Sequence, residues 1–202
     1  EKLISLVEQF IHLFKQAKLE NGILDFNDLE HYALKILMEK NENHELIPSS
    51  VAKVYQEKFT EVLVDEYQDT NYVQESILRL ITRGIGAFGN LFMVGDVKQS
   101  IYRFRLAEPQ LFISKYNTFE KEQNGNTGLR IDLSKNFRSR AEVLDATNFI
   151  FKQIMGRELG GIEYDEDAML KLGATYPEYS DCTSELVLLT KEDEDASQDE
   201  NE

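Results

Sequence analysis

The sequence predicts an α/β fold in which helices flank a largely parallel sheet. Two short apolar runs, Val62–Val64 and Leu91–Val94, are each followed at once by polar residues. Patterns with helical spacing precede, separate and follow these runs, so strands and helices alternate along the chain. In a parallel sheet of this kind the carboxyl ends of the strands lie at one edge, and ligands bind there.

The helices are predicted from apolar residues at helical spacing and from their end signals. Residues 2–19 form an amphipathic pattern, and a second helix is expected to begin near Asn27, with Glu30 as its partner in a capping box. Ser139 and Glu142 predict another capping box before a later helix. Further helices are predicted at residues 51–57, 72–82 and 108–116, and further strands at residues 129–133 and 185–190.

Composition and charge limit the class of protein. The chain has 202 residues, of which 42% are hydrophobic and 29% charged, the balance of a soluble globular protein. The single cysteine, Cys182, cannot form an internal disulfide and indicates a reduced, cytoplasmic setting, and no apolar run is long enough to span a membrane. The net charge of −15 argues against a uniformly basic DNA-coating protein. Residues 192–202 are mostly acidic and are predicted to be a disordered tail.

Asp65 and Glu66, directly after the first apolar run, carry the first functional hypothesis. Many nucleotide hydrolases hold Mg²⁺ beside the phosphates with an acidic pair at the end of a buried strand. One carboxylate holds the hydrated ion while the next orients or deprotonates the attacking water. The alternative is a strand that runs into a solvated acidic turn, and these two residues alone do not decide between the interpretations.

Three longer motifs favour the nucleotide site. Residues 65–71 read DEYQDTN, residues 94–105 read VGDVKQSIYRFR, and residues 133–139 read LSKNFRS. Together and in this order they resemble motifs II, III and IV of the superfamily 1 helicases of the UvrD/Rep/RecB kind. Residues 24–30 resemble the segment that leads into motif II in this family. Residues 161–166, followed by 172–174, narrow the resemblance to the A subunits of the bacterial AddAB (RexAB) helicase-nucleases.

The resemblance implies roles for individual residues at an ATP site. Asp65 would bind Mg²⁺, Glu66 would be the base that activates water, and Gln99 would sense the γ-phosphate. Arg138 would be an arginine finger that reaches the γ-phosphate from a second motor domain, where such a guanidinium is worth about 10³–10⁵ in rate. The alternative for Arg138 is a surface arginine at the entry to a helix. The implied cofactors are ATP and Mg²⁺.

Tyr102, Arg103, Phe104 and Arg105 alternate aromatic and cationic side chains and predict a contact with single-stranded DNA. Rings stack on bases at about 1–3 kcal/mol each, while guanidinium groups meet phosphates. The family that the chain resembles usually has Trp, Arg and Gly where this chain has Phe104, Arg105 and Leu106, so stacking would be retained on a smaller ring. The alternative places Tyr102 and Phe104 on the core-facing side of a strand.

The resemblance also implies a domain plan and a function. The fold would be a fragment of a P-loop NTPase (RecA-like) helicase core. The parent would be an ATP-dependent helicase and exonuclease subunit that moves 3′–5′ on single-stranded DNA in double-strand break repair and recombination. Its partners would be single- and double-stranded DNA and an AddB (RexB)-type second subunit, with no membrane. Residues 1–128 would belong to a first motor domain (1–20 to it or to an inserted helical subdomain), residues 129–190 to a second motor domain and its insertion, and residues 191–202 to the acidic tail.

The phosphate-cradling loop G-x-x-x-x-G-K-[ST] is missing, because no glycine of the sequence is followed by lysine. We therefore expect a fragment that neither hydrolyses ATP nor unwinds DNA alone, and its start at Glu1-Lys2 also suggests an excised segment. No nuclease signature is visible in the sequence. Two other functions stay open: a stand-alone UvrD/PcrA-type repair helicase without a nuclease, and a motor-like scaffold that does not hydrolyse ATP.

Overall fold

The structure is a computed structural model that describes residues 2–43, 45–84, 89–122, 125, 127–179 and 182–189. It divides into two compact units, Glu1–Ile131 and Asp132–Glu202. The predicted acidic tail at residues 191–202 lies outside the described residues. Within the described part of the chain, no helix is both long enough and apolar enough to cross a membrane.

The first unit consists of helices with short strands between them. Its helices confirm those predicted near residues 2–19, 51–57, 72–82 and 108–116. Its elements are α1 (Lys2–Asn21), α2 (Phe26–Leu37), β1 (Met38–Lys40), β2 (Leu46–Pro48), α3 (Ser50–Lys58), β3 (Val62–Val64), α4 (Tyr72–Ile81), β4 (Leu91–Met93) and α5 (Pro109–Thr118). Single 3₁₀ turns lie at Tyr67–Asp69, Val97–Gln99 and Arg103–Arg105.

The strands β3 and β4 pair in parallel and place the predicted site. Their register aligns Val62 with Leu91 and Val64 with Met93, so both strands end at the same edge. Strands β1 and β2 form a separate antiparallel pair. The predicted α/β fold with parallel strands is therefore confirmed at the level of small sheets between helices.

The turn Tyr67–Asp69 is rooted in the core of the first unit. The Tyr67 side chain is fully buried, and its ring lies 6.1 Å from the ring of Phe112 on α5. This packing ties the chain after β3 to α5. Among the described residues of the unit, the other buried apolar ones are Leu37, Ala52, Val97, Ala107 and Ile113.

Helix α2 begins with a different cap from the one predicted. The Asp25 side chain accepts from the Asp28 N–H (2.9 Å), and the Asp28 side chain accepts from the Asp25 N–H (3.0 Å). The predicted capping box with Glu30 is wrong. Glu30 instead accepts hydrogen bonds from the side chains of Asn71 (3.3 Å) and Gln74 (2.7 Å), which form the cap of α4. The Glu30 carboxylate therefore binds side chains that are distant in the sequence and does not cap its own helix.

The second unit contains a short parallel pair of strands beside one long helix. Its elements are β5 (Lys135–Asn136), α6 (Ala141–Ile154), α7 (Arg157–Gly160) and β6 (Lys171–Leu172), with β5 parallel to β6. Leu144 and Tyr164 are its buried apolar side chains among the described residues. The Tyr164 hydroxyl donates to Asn148 Oδ1 over 2.8 Å and fixes the loop against α6.

Two predicted strands and one predicted cap are wrong. Among the described residues of 129–133, the only pairing is an isolated bridge between Leu129 and Glu120. The described residues of 185–190 form no strand. Helix α6 begins after Arg140, which makes no side-chain cap hydrogen bond, so the predicted capping box of Ser139 and Glu142 is wrong. The main-chain N–H of Ser139 donates to Asn136 Oδ1 in the turn before the helix.

Candidate functional site

The predicted acidic pair lies at the carboxyl edge of the β3–β4 sheet. Asp65 and Glu66 follow β3 directly, and the next N–H, that of Tyr67, donates to the carbonyl of Val94 over 2.9 Å. Glu66 has φ 48° and ψ 42°, a left-handed conformation that is uncommon for residues other than glycine. The chain turns sharply at this point and leaves both acidic residues exposed.

Gln68 contacts the Glu66 carboxylate from the buried side of the turn. Its Nε2 donates to Glu66 Oε2 over 2.7 Å, and its Oε1 accepts from the Asp96 N–H over 2.9 Å. A Cβ on Gly95 would lie 2.7 Å from Gln68 Oε1, which is closer than real side chains approach. The absence of a side chain at Gly95 therefore allows the amide to bridge the two loops.

Gln99 lies in the 3₁₀ turn on the same edge. Its Nε2 donates to Asp96 Oδ2 over 3.1 Å, and Lys98 Nζ pairs with Asp96 Oδ1 over 2.8 Å. Asp96 therefore donates its N–H to the Gln68 side chain and accepts the Gln99 side chain at its carboxylate. The structure thus brings three predicted site residues, Asp65, Glu66 and Gln99, to one edge of the sheet.

An open pocket lies beside the acidic pair. Within it, Asp69 Oδ1 is buried and has no hydrogen-bond partner among the described residues. Burial and, after it, the charge of Glu66 raise the pKa of Asp69. The pocket is lined by Val64, Asp65, Glu66, Asp69, Thr70, Gln74, Ile77 and Leu78.

The donors at this edge fit Mg²⁺ that arrives with a nucleotide. No group of three His, Cys, Asp or Glu in the described ranges could form a protein-only metal site. Mg²⁺ keeps several waters and commonly takes one or two carboxylates together with substrate phosphates. Asp65 supplies a carboxylate of that kind on an accessible edge, and Glu66 is exposed directly after it.

Glu75 connects the turn after Glu66 to α4 and α5. Its side chain is 5% exposed, and its carboxylate accepts from the Tyr67 hydroxyl, from Lys115 Nζ (2.8 Å) and from Arg79 Nε (2.9 Å). Burial alone would raise the pKa of Glu75, but the hydrogen bonds from Lys115 and Tyr67 outweigh it and hold this pKa below its usual range. Burial, followed by the contact with Glu75, raises the pKa of Tyr67, so its hydroxyl stays protonated and donates.

The predicted DNA-contacting segment is an exposed 3₁₀ turn. Tyr102 is 41% and Phe104 76% exposed, and both lie at a 3₁₀ turn, so in this chain neither ring is on the core-facing side of a strand. The Arg105 guanidinium lies 5.4 Å from the Tyr102 ring and 5.5 Å from the Phe104 ring. Arg103 begins the turn and is exposed as well. Leu106, where the turn ends, has φ 67°, which explains why glycine suits this position.

Arg138 belongs to the second unit and is exposed there. Its main-chain N–H donates to Asn136 Oδ1 over 2.9 Å, in the same turn that binds the N–H of Ser139. The Asn136 side chain thus shapes the backbone that presents Arg138.

Gln68 is the polar residue of this edge that sequence reasoning missed. The signal was its place two residues after Glu66 in a short turn, since a buried amide needs partners on both of its ends. A linear pattern does not show that its second partner is the N–H of Asp96, because that contact depends on the pairing of β3 with β4.

Comparison with known proteins shows what this chain is similar to. Three similar proteins share a name that describes the A subunit of an ATP-dependent helicase/nuclease. The relative from Bacillus cereus (strain G9842) is 60% identical over 195 residues, which is 96% of this chain and 16% of the relative. The relative from Bacillus mycoides (strain KBAB4) is 58% identical over 99% of this chain, and that from Bacillus anthracis 59% over 96%. The chain spans about one-sixth of the length of these relatives.

The family comparison covers most of the first unit. The family described as "UvrD/REP helicase N-terminal domain" matches residues 1–120, which contain β3, β4, the acidic pair and the aromatic turn. Both comparisons confirm the resemblance that the three motifs predicted. The chain belongs to the UvrD/REP helicase family.

Proposed function

We propose that this chain supplies the catalytic carboxylates of the ATP site in a larger ATP-dependent helicase/nuclease subunit. The observation that carries the proposal is the position of Asp65 and Glu66, exposed at the common carboxyl edge of two parallel strands. Ligands of α/β sheets bind at such edges. The identity of 58–60% to relatives named as A subunits of helicase/nucleases supports the same assignment.

The proposed roles follow the chemistry of the side chains. Asp65 would hold Mg²⁺, which when bound neutralises charge on the phosphates. Glu66 would accept the proton of the attacking water, and Gln99 would contact the γ-phosphate. Arg138 would act as an arginine finger from the second motor domain, since a guanidinium stabilises charge that develops on the transferred phosphoryl group.

The finer fold assignment is a P-loop NTPase (RecA-like) core to which the two units contribute parts of two motor domains. The exposed side chains of Leu63 (69%) and Phe92 (55%) on β3 and β4 support a larger sheet. Parallel sheets are normally covered on both faces, because helices of the crossover connections pack on each side. In the proposed parent these side chains would be covered.

Single-stranded DNA is the proposed ligand of the turn formed by Tyr102, Arg103, Phe104 and Arg105. Exposed rings beside guanidinium groups provide both base stacking and phosphate contacts. By likeness to the family, the parent would couple ATP hydrolysis to 3′–5′ translocation during double-strand break repair and recombination. Double-stranded DNA and an AddB (RexB)-type subunit would be its further partners.

Two rival functions are less well supported. A stand-alone UvrD/PcrA-type helicase would carry no nuclease, whereas the names of the relatives contain the word nuclease. A scaffold that does not hydrolyse ATP has no need for an exposed acidic pair whose second residue, Glu66, adopts a left-handed conformation. The helicase/nuclease subunit therefore remains the proposed parent.

Glu66→Gln in the full-length subunit tests the assignment. An amide cannot accept the proton, so we expect the ATPase rate to fall about 10²–10⁴-fold while ATP binding is retained. Glu61→Gln is the matched control, since it neutralises an exposed carboxylate just before β3 and should leave the rate unchanged. A Glu66→Gln enzyme that hydrolyses ATP at the wild-type rate would remove Glu66 from the role of base.

A further inference from the structure

Gln68 has the geometry of a side chain that holds another one in place. It is 1% exposed, and both ends of its amide are hydrogen-bonded. The main-chain N–H of Asp96 can only donate, so it must face the amide oxygen of Gln68. The amide NH₂ group therefore faces Glu66, which is the orientation that a carboxylate can accept.

The contact limits the freedom of an otherwise exposed carboxylate. Glu66 stands on a left-handed backbone in solvent, where a long side chain populates several rotamers. The 2.7 Å hydrogen bond from Gln68 fixes Oε2 and leaves Oε1 for a water molecule. A base that is held in this way does not have to be ordered again at each turnover.

The other end of the amide leads to the loop of Gln99. Gln68 Oε1 binds the Asp96 N–H, and Asp96 Oδ2 accepts from Gln99 Nε2. The hydrogen bonds thus run without a break from Glu66 to Gln99. Gly95 keeps this path open, because a Cβ there would meet Gln68 Oε1 at 2.7 Å.

We propose that Gln68 is a positioning residue that orients the Glu66 carboxylate and couples it to the loop carrying Gln99. The proposal rests on the function proposed above, in which Glu66 is the base and Gln99 contacts the γ-phosphate. Displacing the amide would misalign the base while the nucleotide still binds.

The first experiment replaces the amide by an apolar side chain of similar length in the full-length subunit. Gln68→Leu should lower kcat for ATP hydrolysis about 10–100-fold, because a small misplacement of a reacting group has effects of that size. Its Kd for a non-hydrolysable ATP analogue, measured by displacement of a fluorescent nucleotide, should stay within about twofold. The matched control is Gln56→Leu, which removes an amide-to-carbonyl hydrogen bond to Leu80 in the same unit and should leave kcat unchanged.

The second experiment uses a nearly isosteric change, Gln68→Glu. The new carboxyl still accepts from the Asp96 N–H but faces Glu66 with a like charge until it is protonated. The ratio of its kcat to the wild-type kcat should therefore rise as the pH is lowered from 8 to 6. The corresponding ratio for Gln68→Leu should stay flat, which a purely structural role of Gln68 would not explain.

The outcomes separate the two proposals. If Glu66→Gln is inactive but Gln68→Leu keeps kcat within twofold of wild type, the positioning role is overturned. If Glu66→Gln hydrolyses ATP at the wild-type rate, the proposed function and the positioning role are both overturned. If thermal unfolding shows that Gln68→Leu does not fold, Gln68→Glu decides, and a rate ratio that does not change with pH overturns the positioning role.

Discussion

The pair formed by Glu75 and Lys115 predicts a large and specific loss of stability in Lys115→Met. The two charged atoms are 2.8 Å apart, and the side chains are 5% and 13% exposed. Removing one partner of a buried pair costs about 3–5 kcal/mol, because the other charge is left without compensation. Arg79 and Tyr67 still contact Glu75 in the variant, so we expect a loss at the lower end, about 3 kcal/mol.

Native-state hydrogen exchange of the α4 and α5 amides measures this free energy of unfolding within the first unit. The double variant Glu75→Gln/Lys115→Met should lose less than Lys115→Met plus Glu75→Gln, since neither charge of the pair then remains without its partner. Lys53→Met is the matched control, because this lysine is exposed on α3 and surface changes stay within about 0.5 kcal/mol.

The effect of Lys115→Met should also depend on pH. The pKa of Glu75 is lower in the folded chain than in the unfolded chain. The ionised Glu75 therefore stabilises the fold above the unfolded-state pKa of about 4.3, and this stabilisation is lost as the pH falls through the folded-state pKa. The difference in the free energy of unfolding between wild type and Lys115→Met should therefore become smaller below about pH 4. A deficit no larger than that of Lys53→Met, or one that is equal at pH 7 and at pH 3.5, would refute the reasoning.

Two further predictions concern the aromatic turn. Leu106→Gly should raise the free energy of unfolding, measured by urea denaturation, by about 1 kcal/mol. Leu106 is 75% exposed and has φ 67°, a conformation that costs about 1–2 kcal/mol for an L-residue. No gain in this free energy would show that Leu106 makes a compensating contact. Phe104→Ala in the full-length subunit should weaken binding of single-stranded DNA, measured by fluorescence anisotropy, by about 1–3 kcal/mol. Phe149→Ala, which removes another exposed ring, is the control. Equal losses of binding in the two variants would contradict stacking on Phe104.

The helices and the two central strands could be predicted because their signals are local. Apolar spacing set the bounds of α1, α3 and α4, and Pro109 occupies the first turn of α5, where proline is favoured. The acidic pair could be predicted for the same reason, because it follows an apolar run directly. Such features depend on neighbours within a few residues, which a single sequence displays.

The caps and the last strands could not be predicted because their outcome depends on distant partners. Glu30 fits a capping box by spacing, yet its carboxylate is taken by Asn71 and Gln74 on the next helix but one. Ile131 and Leu133 alternate like a strand, but they are 67% and 86% exposed and have no partner strand among the described residues. Alternation of apolar and polar residues shows which side chains could face a sheet, but it does not show whether a partner strand is present.

The left-handed conformation of Glu66 is maintained by the two residues that follow it. That conformation costs about 1–2 kcal/mol. Burial of the Tyr67 side chain contributes about 1.5–3 kcal/mol, and the hydrogen bond from its N–H to Val94 adds to this. The shape of the turn is therefore set by Tyr67 and Gln68, whereas Glu66 adds its carboxylate. It follows that Glu66→Gln changes the chemistry of the turn without removing what holds its shape, so a loss of activity in that variant reports on proton acceptance.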